Sequence, residues 1–370
     1  MVELRMAHTA RITAVLLLTL LCVYVLPLCA CAAGTPSAEP NPSQEDTVES
    51  MVPPTIPARG YFKGFSSLLP PDGDFENAYS DAATSGADFV NTWVGAEGSG
   101  YWDLSEYLGG WWGDTFVEGL TRDNGMFPII NLSFIDRDAS GGLKLHQPPD
   151  TDYSGLNDDA FRRAYREAAV AAVRAVRPAY LSLGNEVNRW HEQYGDDPGD
   201  PNNFRHFVTL YNGTYDVVKA VSPETKVFCI FAREIVSENR EADMSVLQMF
   251  DASRLDLAAF TSYPFAVQAI NKPSDMSDDY YSEAIEKAGL TDKPFGFTEL
   301  GWSTLDAFGG EEGQAAFLSD AAGRLTLGQS LDLHLFGWWS LYDLEGDPHE
   351  TGLVDRDGRE KPAYEVWEAL

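Results

Sequence analysis

From residue 60 to the C-terminus the chain repeats one pattern, a short run of consecutive apolar residues followed by a longer amphipathic stretch. The apolar runs are Gly60–Ser66, Ala87–Val94, Met126–Ser133, Ala179–Asn185, Lys226–Ala232, Leu255–Tyr263, Pro294–Glu299 and Asp332–Ser340. Their Val, Ile, Leu and Phe residues are continuous rather than alternating, as expected of parallel strands covered by helices on one side and packed inside on the other. Helical spacing falls between them, over Asp74–Ser85, Asp114–Asn124, Asn157–Val176, Asn203–Val221, Glu241–Phe250, Tyr280–Lys287, Gly313–Thr326 and Ala363–Ala369. The clearest is Asn157–Val176, whose Phe161, Tyr165, Ala168, Ala172 and Val176 share one face. Eight strands alternating with eight helices predict an α/β fold, a single (β/α)8 TIM barrel over residues 59–370. An open doubly wound sheet would compete, but no Gly-rich phosphate loop follows the first strand. The loop Gly95–Gly100 after the second fits neither the dinucleotide nor the P-loop pattern.

The first 30 residues have a basic start (Arg5, Arg11) and an apolar run from Ile12 to Leu28, which predict a signal peptide. Leu28-Cys29-Ala30-Cys31 resembles a bacterial lipobox, with cleavage before Cys31 and a lipid on its sulfur. The alternatives are an ordinary signal cut near Ala33, giving a secreted protein, and a retained anchor. Residues 31–58 are rich in Pro, Ser, Glu and Thr and poor in large apolar groups, so they read as a disordered tether. The expected location is therefore extracytoplasmic, on a cell-surface lipoprotein that meets the membrane only through its N-terminus.

The formal net charge of −31 argues against nucleic acid and against docking on anionic lipid. Neutral polysaccharide suits such a surface better than a polyanionic glycan. Of the four cysteines, Cys22, Cys29 and Cys31 lie in or beside the signal, and Cys229 stands alone in an apolar run. The barrel therefore has no disulfide framework, and Cys229 reads as a buried, inert thiol. No His-Glu-x-x-His spacing occurs. Asp136–Gly141 resembles the first half of a calcium loop, but Gln147 stands where its bidentate Glu belongs. No Gly-x-Ser-x-Gly elbow is present. No cofactor or metal is expected.

Two of the apolar runs end on an acid: Leu181-Ser182-Leu183-Gly184-Asn185-Glu186 and Phe295-Gly296-Phe297-Thr298-Glu299. A carboxylate at the end of a buried strand does not add stability. Two of them at the C-terminal mouth of one barrel are the equipment for glycosidic bond cleavage, in which one carboxyl protonates the leaving oxygen and the other attacks the anomeric carbon. The mouth loops hold many aromatic residues, Tyr101, Trp102, Trp111, Trp112, Trp190 and Tyr194, which read as sugar-stacking platforms. Asn91 and Trp93 on the second strand are further mouth candidates, and His191, close behind Glu186, is a candidate to line the cleft.

Several motifs in order resemble clan A glycoside hydrolases, retaining enzymes on (β/α)8 barrels. Gly184-Asn185-Glu186 resembles the strand-four signature, Ser262-Tyr263-Pro264 that of strand six, Thr298-Glu299-Leu300-Gly301-Trp302 that of strand seven, and Trp339-Ser340-Leu341-Tyr342-Asp343 that of strand eight. Gly352–Gly358 and Lys361-Pro362-Ala363-Tyr364 resemble the closing loop and last helix. The resemblance covers most of residues 60–370. It implies that Glu299 is the nucleophile, Glu186 the acid/base, Asn185 a contact to the substrate 2-hydroxyl, Tyr263 a holder of the nucleophile and Trp339 the floor of the adjoining sugar subsite. Asn131 ends strand three where some member families carry a His, a departure that leaves the neighbouring sugar contacts open.

The resulting expectation is a monomeric retaining β-glycoside hydrolase, endo-acting on a neutral polysaccharide of galactan, mannan, xylan or β-glucan type. A non-catalytic surface glycan-binding barrel, and a β-glucan transglycosylase using the same residues, are the alternatives.

Overall fold

The computed structural model describes residues 52–92, 100–329 and 331–370. The signal peptide, Cys31, most of the tether, Trp93 and most of the Gly95–Gly100 loop lie outside these residues. Residues 52–58, the end of the expected tether, have no regular secondary structure. Among the described residues no helix is long and apolar enough to cross a membrane.

The predicted barrel is present. Its strands are Phe62–Ser67, Phe89–Thr92, Phe127–Asn131, Tyr180–Ser182, a fifth in two pieces (Lys226–Phe228 and Ile230–Ala232), Ala258–Ser262, Phe295–Leu300 and Leu333–Ser340. All neighbours in this sheet run parallel. The first piece of strand five pairs with strand four and the second with strand six. The ring therefore closes through one intervening residue, the fully buried Cys229.

Helices cover the outside. Asp159–Val176 starts where Asp158 accepts hydrogen bonds from the N–H groups of Ala160 and Phe161, and its predicted face, Phe161 to Val176, is buried. Phe75–Thr84, Phe204–Val221, Gly310–Asp320 and Pro362–Ala369 also match expectation to within a few residues. Asp114–Asn124 corresponds to Gly113–Arg122, wound more widely as a π-helix. Tyr280–Lys287 is reduced to Ser282–Lys287. The helix expected over Glu241–Phe250 does not form. Short 3₁₀ turns, Ser245–Met249 and Ala252–Arg254, replace it. Asp243 and Asp251 each turn a carboxylate onto the N–H two residues ahead, so local side-chain bonds compete with a continuous helix. Asp138, in the stretch that resembles a calcium loop, likewise closes the turn of a small hairpin, bonding the N–H groups of Ser140 and Gly142.

Strand seven contains the irregularity that matters most. Phe297 pairs with Phe260 and Phe336, and Leu300 with Ser262 and Trp338. Strand seven thus fits one more residue between these points than either neighbour does, which is a β-bulge at Thr298-Glu299. Phe295 and Phe297 pack on Tyr281, beside the outer helix Ser282–Lys287, and so face the helical layer. Strict alternation would send Glu299 the same way. The extra residue reverses the parity, and Glu299 reaches instead across the barrel to Ser66 on strand one.

Gly337 on strand eight makes room for this bulge, because a Cβ there would lie 2.5 Å from the Thr298 carbonyl oxygen. Gly337→Ala is expected to destabilise the barrel by about 1–3 kcal/mol through overpacking. A urea denaturation midpoint unchanged from wild type would contradict this account of the bulge.

Candidate active site

Glu186 does not lie on strand four, as the sequence suggests. The strand ends at Ser182, four positions earlier. The chain nevertheless stays on its neighbour: Leu183 N–H bonds Phe228 O, Ile230 N–H bonds Gly184 O, and Val187 N–H bonds Ile230 O. Between these bonds the backbone swings out, with Gly184 at φ 140° and Glu186 at φ 49°. A left-handed conformation costs a residue with a Cβ about 1–2 kcal/mol. It turns the Glu186 side chain toward strand six, where the Thr261 hydroxyl donates to its Oε1 at 3.0 Å. Arg189, one turn on, donates to its Oε2 at 2.7 Å.

Thr261 is also the strand partner of Glu299. Glu186 is thus bonded to the residue paired beside Glu299, and the two acids meet across strand six. Tyr263 donates to Glu299 Oε2 at 2.7 Å and Ser66 to Oε1 at 3.3 Å. Asn91 donates to Ser66 at 2.9 Å, extending the chain of bonds to strand two. Trp339 stands edge-on to Tyr263, with ring centroids 6.5 Å apart and planes at 75°.

Burial pushes the Glu299 carboxyl up to about 8, and the nearby charge of Glu186 adds to the rise. The bonds from Tyr263 and Ser66 act in the opposite sense. Burial, with the Glu299 charge next, also holds the Tyr263 hydroxyl well above its ordinary range, so it stays a donor. A carboxyl raised in this way can hold a proton near neutral pH beside a second acidic side chain.

These contacts link Glu186, Glu299, Tyr263 and Trp339, and Asn91 with them. Asn131 is fully buried at the end of strand three, and both polar atoms of its side chain lack a partner. Asn185 Oδ1 is likewise unpaired. His191 sits on a helix, Asn188–Tyr194, with its Nδ1 3.3 Å from Asp243 Oδ2 and its ring against Phe204. Trp93 is outside the described residues.

The aromatic platforms are mostly something else. Tyr101 and Trp190 are fully buried, and Trp190 donates its Nε1 hydrogen to Asn202 O. Trp102 stacks on His146, Trp112 on Phe116, and the Tyr194 hydroxyl bonds Leu143 O. Of this group only Trp111 presents an open ring, 48% exposed. The sequence suggests surface loops, but Tyr101 and Trp102 lie on a helix, Tyr101–Leu108, and Trp190 and Tyr194 on Asn188–Tyr194, whose packing buries Tyr101 and Trp190 fully and Trp102 and Tyr194 in part. Ser66 and Thr261 go unnoticed in the sequence because small polar residues near strand ends carry no pattern, and Arg189 because it reads as one more charged residue on a short helix.

No family model and no curated protein sequence matches the chain. Solved structures do resemble it. A family 39 glycoside hydrolase from the gut symbiont Bacteroides cellulosilyticus WH2 superposes with a TM-score of 0.57 at 18% identity, over 86% of this chain and 65% of that one. A GH5_18 protein from Streptomyces cattleya, solved with GlcNAc, gives 0.54 at 15% identity, over 85% and 80%. Bifidobacterium dentium β-glucuronidase, complexed with coumarin-3-O-glucuronide, gives 0.51 at 14% identity. This chain spans 84% of itself in that match but only 46% of the glucuronidase. At these identities the likeness establishes the shared barrel fold.

Glu299 has consequences for stability. Its carboxyl titrates at about 8 in the folded protein against an ordinary 4.5, so the folded state holds the proton more tightly. That contribution is complete below 4.5 and is lost as pH rises through 8. Glu299→Gln carries no such proton. Relative to wild type it should gain stability steadily across this window, read as urea midpoints at a series of pH values. A pH-independent difference would refute the assignment.

Proposed function

We propose that this protein is a retaining β-glycoside hydrolase that uses Glu299 as nucleophile and Glu186 as acid/base. The observation that carries the reading is that Glu186 is bonded to Thr261, the strand partner of Glu299. In the first step an oxygen of ionised Glu299 attacks the anomeric carbon. The bond to the leaving oxygen breaks as Glu186 delivers its proton there, giving a covalent glycosyl-enzyme. In the second step Glu186 takes a proton from water, whose oxygen attacks the same carbon and releases Glu299. Burial is the main cause of the raised Glu299 carboxyl and the Glu186 charge the lesser one, so a proton on Glu186 eases part of that rise; the productive state is the one with the proton on Glu186 and the charge on Glu299.

Tyr263 orients the nucleophile, and Trp339 offers a ring face to the adjoining sugar. The unpaired amide atoms of Asn91, Asn131 and Asn185 suit neutral hydroxyls. Together with the net charge of −31 they favour a neutral polysaccharide, of galactan, mannan, xylan or β-glucan type, cut within the chain. The N-terminal sequence adds the proposal that the enzyme acts outside the cytoplasm, held by a lipid on Cys31. Cys31→Ser should then lose metabolic lipid labelling and leave the membrane fraction, and retention of the label would exclude this anchor.

The catalytic assignment is tested with an aryl glycoside bearing a good leaving group. Glu299→Ala should abolish turnover, and added azide should restore it with an inverted glycosyl azide as product. Glu186→Ala should slow the first step, read as kcat/KM, by about 10²- to 10⁴-fold for poor leaving groups while sparing activated ones, and should slow the second step for both. A folded Glu299→Ala protein that forms no inverted azide would remove Glu299 as nucleophile.

A further inference from the structure

A third carboxylate, Glu234, is 2% exposed and takes no direct part in the proposed chemistry. It follows strand five by two residues. Its Oε2 accepts the backbone N–H of Tyr263 at 2.6 Å. Its Oε1 accepts the Tyr280 hydroxyl at 2.6 Å and the Ser262 hydroxyl at 3.2 Å. Tyr281 shares a hydroxyl contact with Ser262 at 3.1 Å.

This is not a simple buried ion pair. The adjacent Arg233 directs its guanidinium to Glu241 at 2.7 Å and to the Tyr280 carbonyl at 3.3 and 3.4 Å, and lies over the Tyr280 ring. Glu234 is bonded by neutral donors only, and one of them is the main chain of the residue that holds Glu299. Burial pushes Glu234 up to about 7, while Arg233 foremost, then its donors, pull it down. A carboxylate kept at that cost calls for a reason beyond packing.

Resting on the glycosidase reading, we infer that Glu234 is a positioning residue, clamping the backbone of Tyr263 so that its hydroxyl stays on Glu299. The main chain at Tyr263 has left strand six and enters the short turn Pro264–Ala266; Gly301 N–H bonds Ser262 O and Ala266 N–H bonds Tyr263 O, but the Tyr263 N–H has no ladder partner. The carboxylate supplies that missing anchor. A Gln at 234 keeps the shape but replaces one acceptor oxygen with an N–H₂ donor, so the Tyr263 N–H, or the hydroxyls of Tyr280 and Ser262, lose their partner.

A double-mutant cycle tests the clamp. Glu234→Gln and Tyr263→Phe should each lower kcat about 10- to 100-fold with KM little changed, the loss expected when a hydrogen bond to a charged group is withdrawn. Glu234→Gln/Tyr263→Phe should be no slower than Tyr263→Phe alone. Tyr280→Phe, which keeps the packing but removes one donor, should change kcat far less than Glu234→Gln.

A second readout does not need turnover. The Glu299 carboxyl, followed by NMR with labelled glutamate and assigned through Glu299→Gln, is faced by Glu186, Tyr263 and Ser66. Its titration should move to higher pH in Glu234→Gln and in Tyr263→Phe, and no further in the double variant. Multiplying losses in the cycle, or a Glu299 titration untouched by Glu234→Gln, would overturn the clamp. Wild-type protein no faster than Glu299→Ala on every glycoside would instead overturn the glycosidase reading, with the titration still deciding whether Glu234 acts through Tyr263.

Discussion

The extra residue in strand seven decides which way Glu299 points. Phe295 and Phe297 face the helices, and an unbroken strand would put Glu299 on their side, in the layer against the helices and away from Tyr263 and Ser66. The bulge turns it inward, where Tyr263 and Ser66 meet its two oxygens. Much else follows from that reversal. The Thr298 carbonyl is pushed toward strand eight, which has a glycine at that point, and toward strand two, where Asn91 reaches it at 3.4 Å. Three strands are adapted to one irregularity, and the irregularity exists to aim one side chain.

The second acid is aimed by a different device. Strand four stops early and the chain takes a left-handed step at Glu186 itself. Both carboxylates therefore sit where regular structure has been interrupted, and the regular parts of the cylinder hold the interruptions still. Strained backbone of this kind is found where surrounding structure over-determines it. Here the ladder to strand five continues on both sides of Glu186 and supplies that constraint.

Most of the fold could be read from the sequence because barrel strands and covering helices have different periods. The helix Asp159–Val176 announces itself by five apolar residues on one face, and the acid-ended runs stand out because charge is rare at the end of a buried strand. What could not be read depends on parity and on neighbours. Nothing in Phe295–Leu300 reveals a bulge, because every residue in it is compatible with burial. Tyr101 follows a Gly-rich stretch and Trp190 sits among polar residues, so both look like surface rings, but Phe161 and Tyr165 cover the first and Phe134 and Tyr194 the second. Glu234 looks like half of an Arg-Glu pair on a strand exit. Its bonds to Tyr263 and Tyr280 join residues 29 and 46 positions away. The missing helix after Glu241 was lost to Asp243 and Asp251, whose short side chains satisfy the backbone locally.

Strand five passes its ladder from strand four to strand six around a single thiol, although Ile230, just past it, still bonds Gly184 and Val187. Cys229 is fully buried, so a reagent reaches its sulfur only when the barrel opens locally. Since Cys229 is the sole cysteine between residues 59 and 370, its alkylation becomes a clock for how often this cylinder opens at its seam.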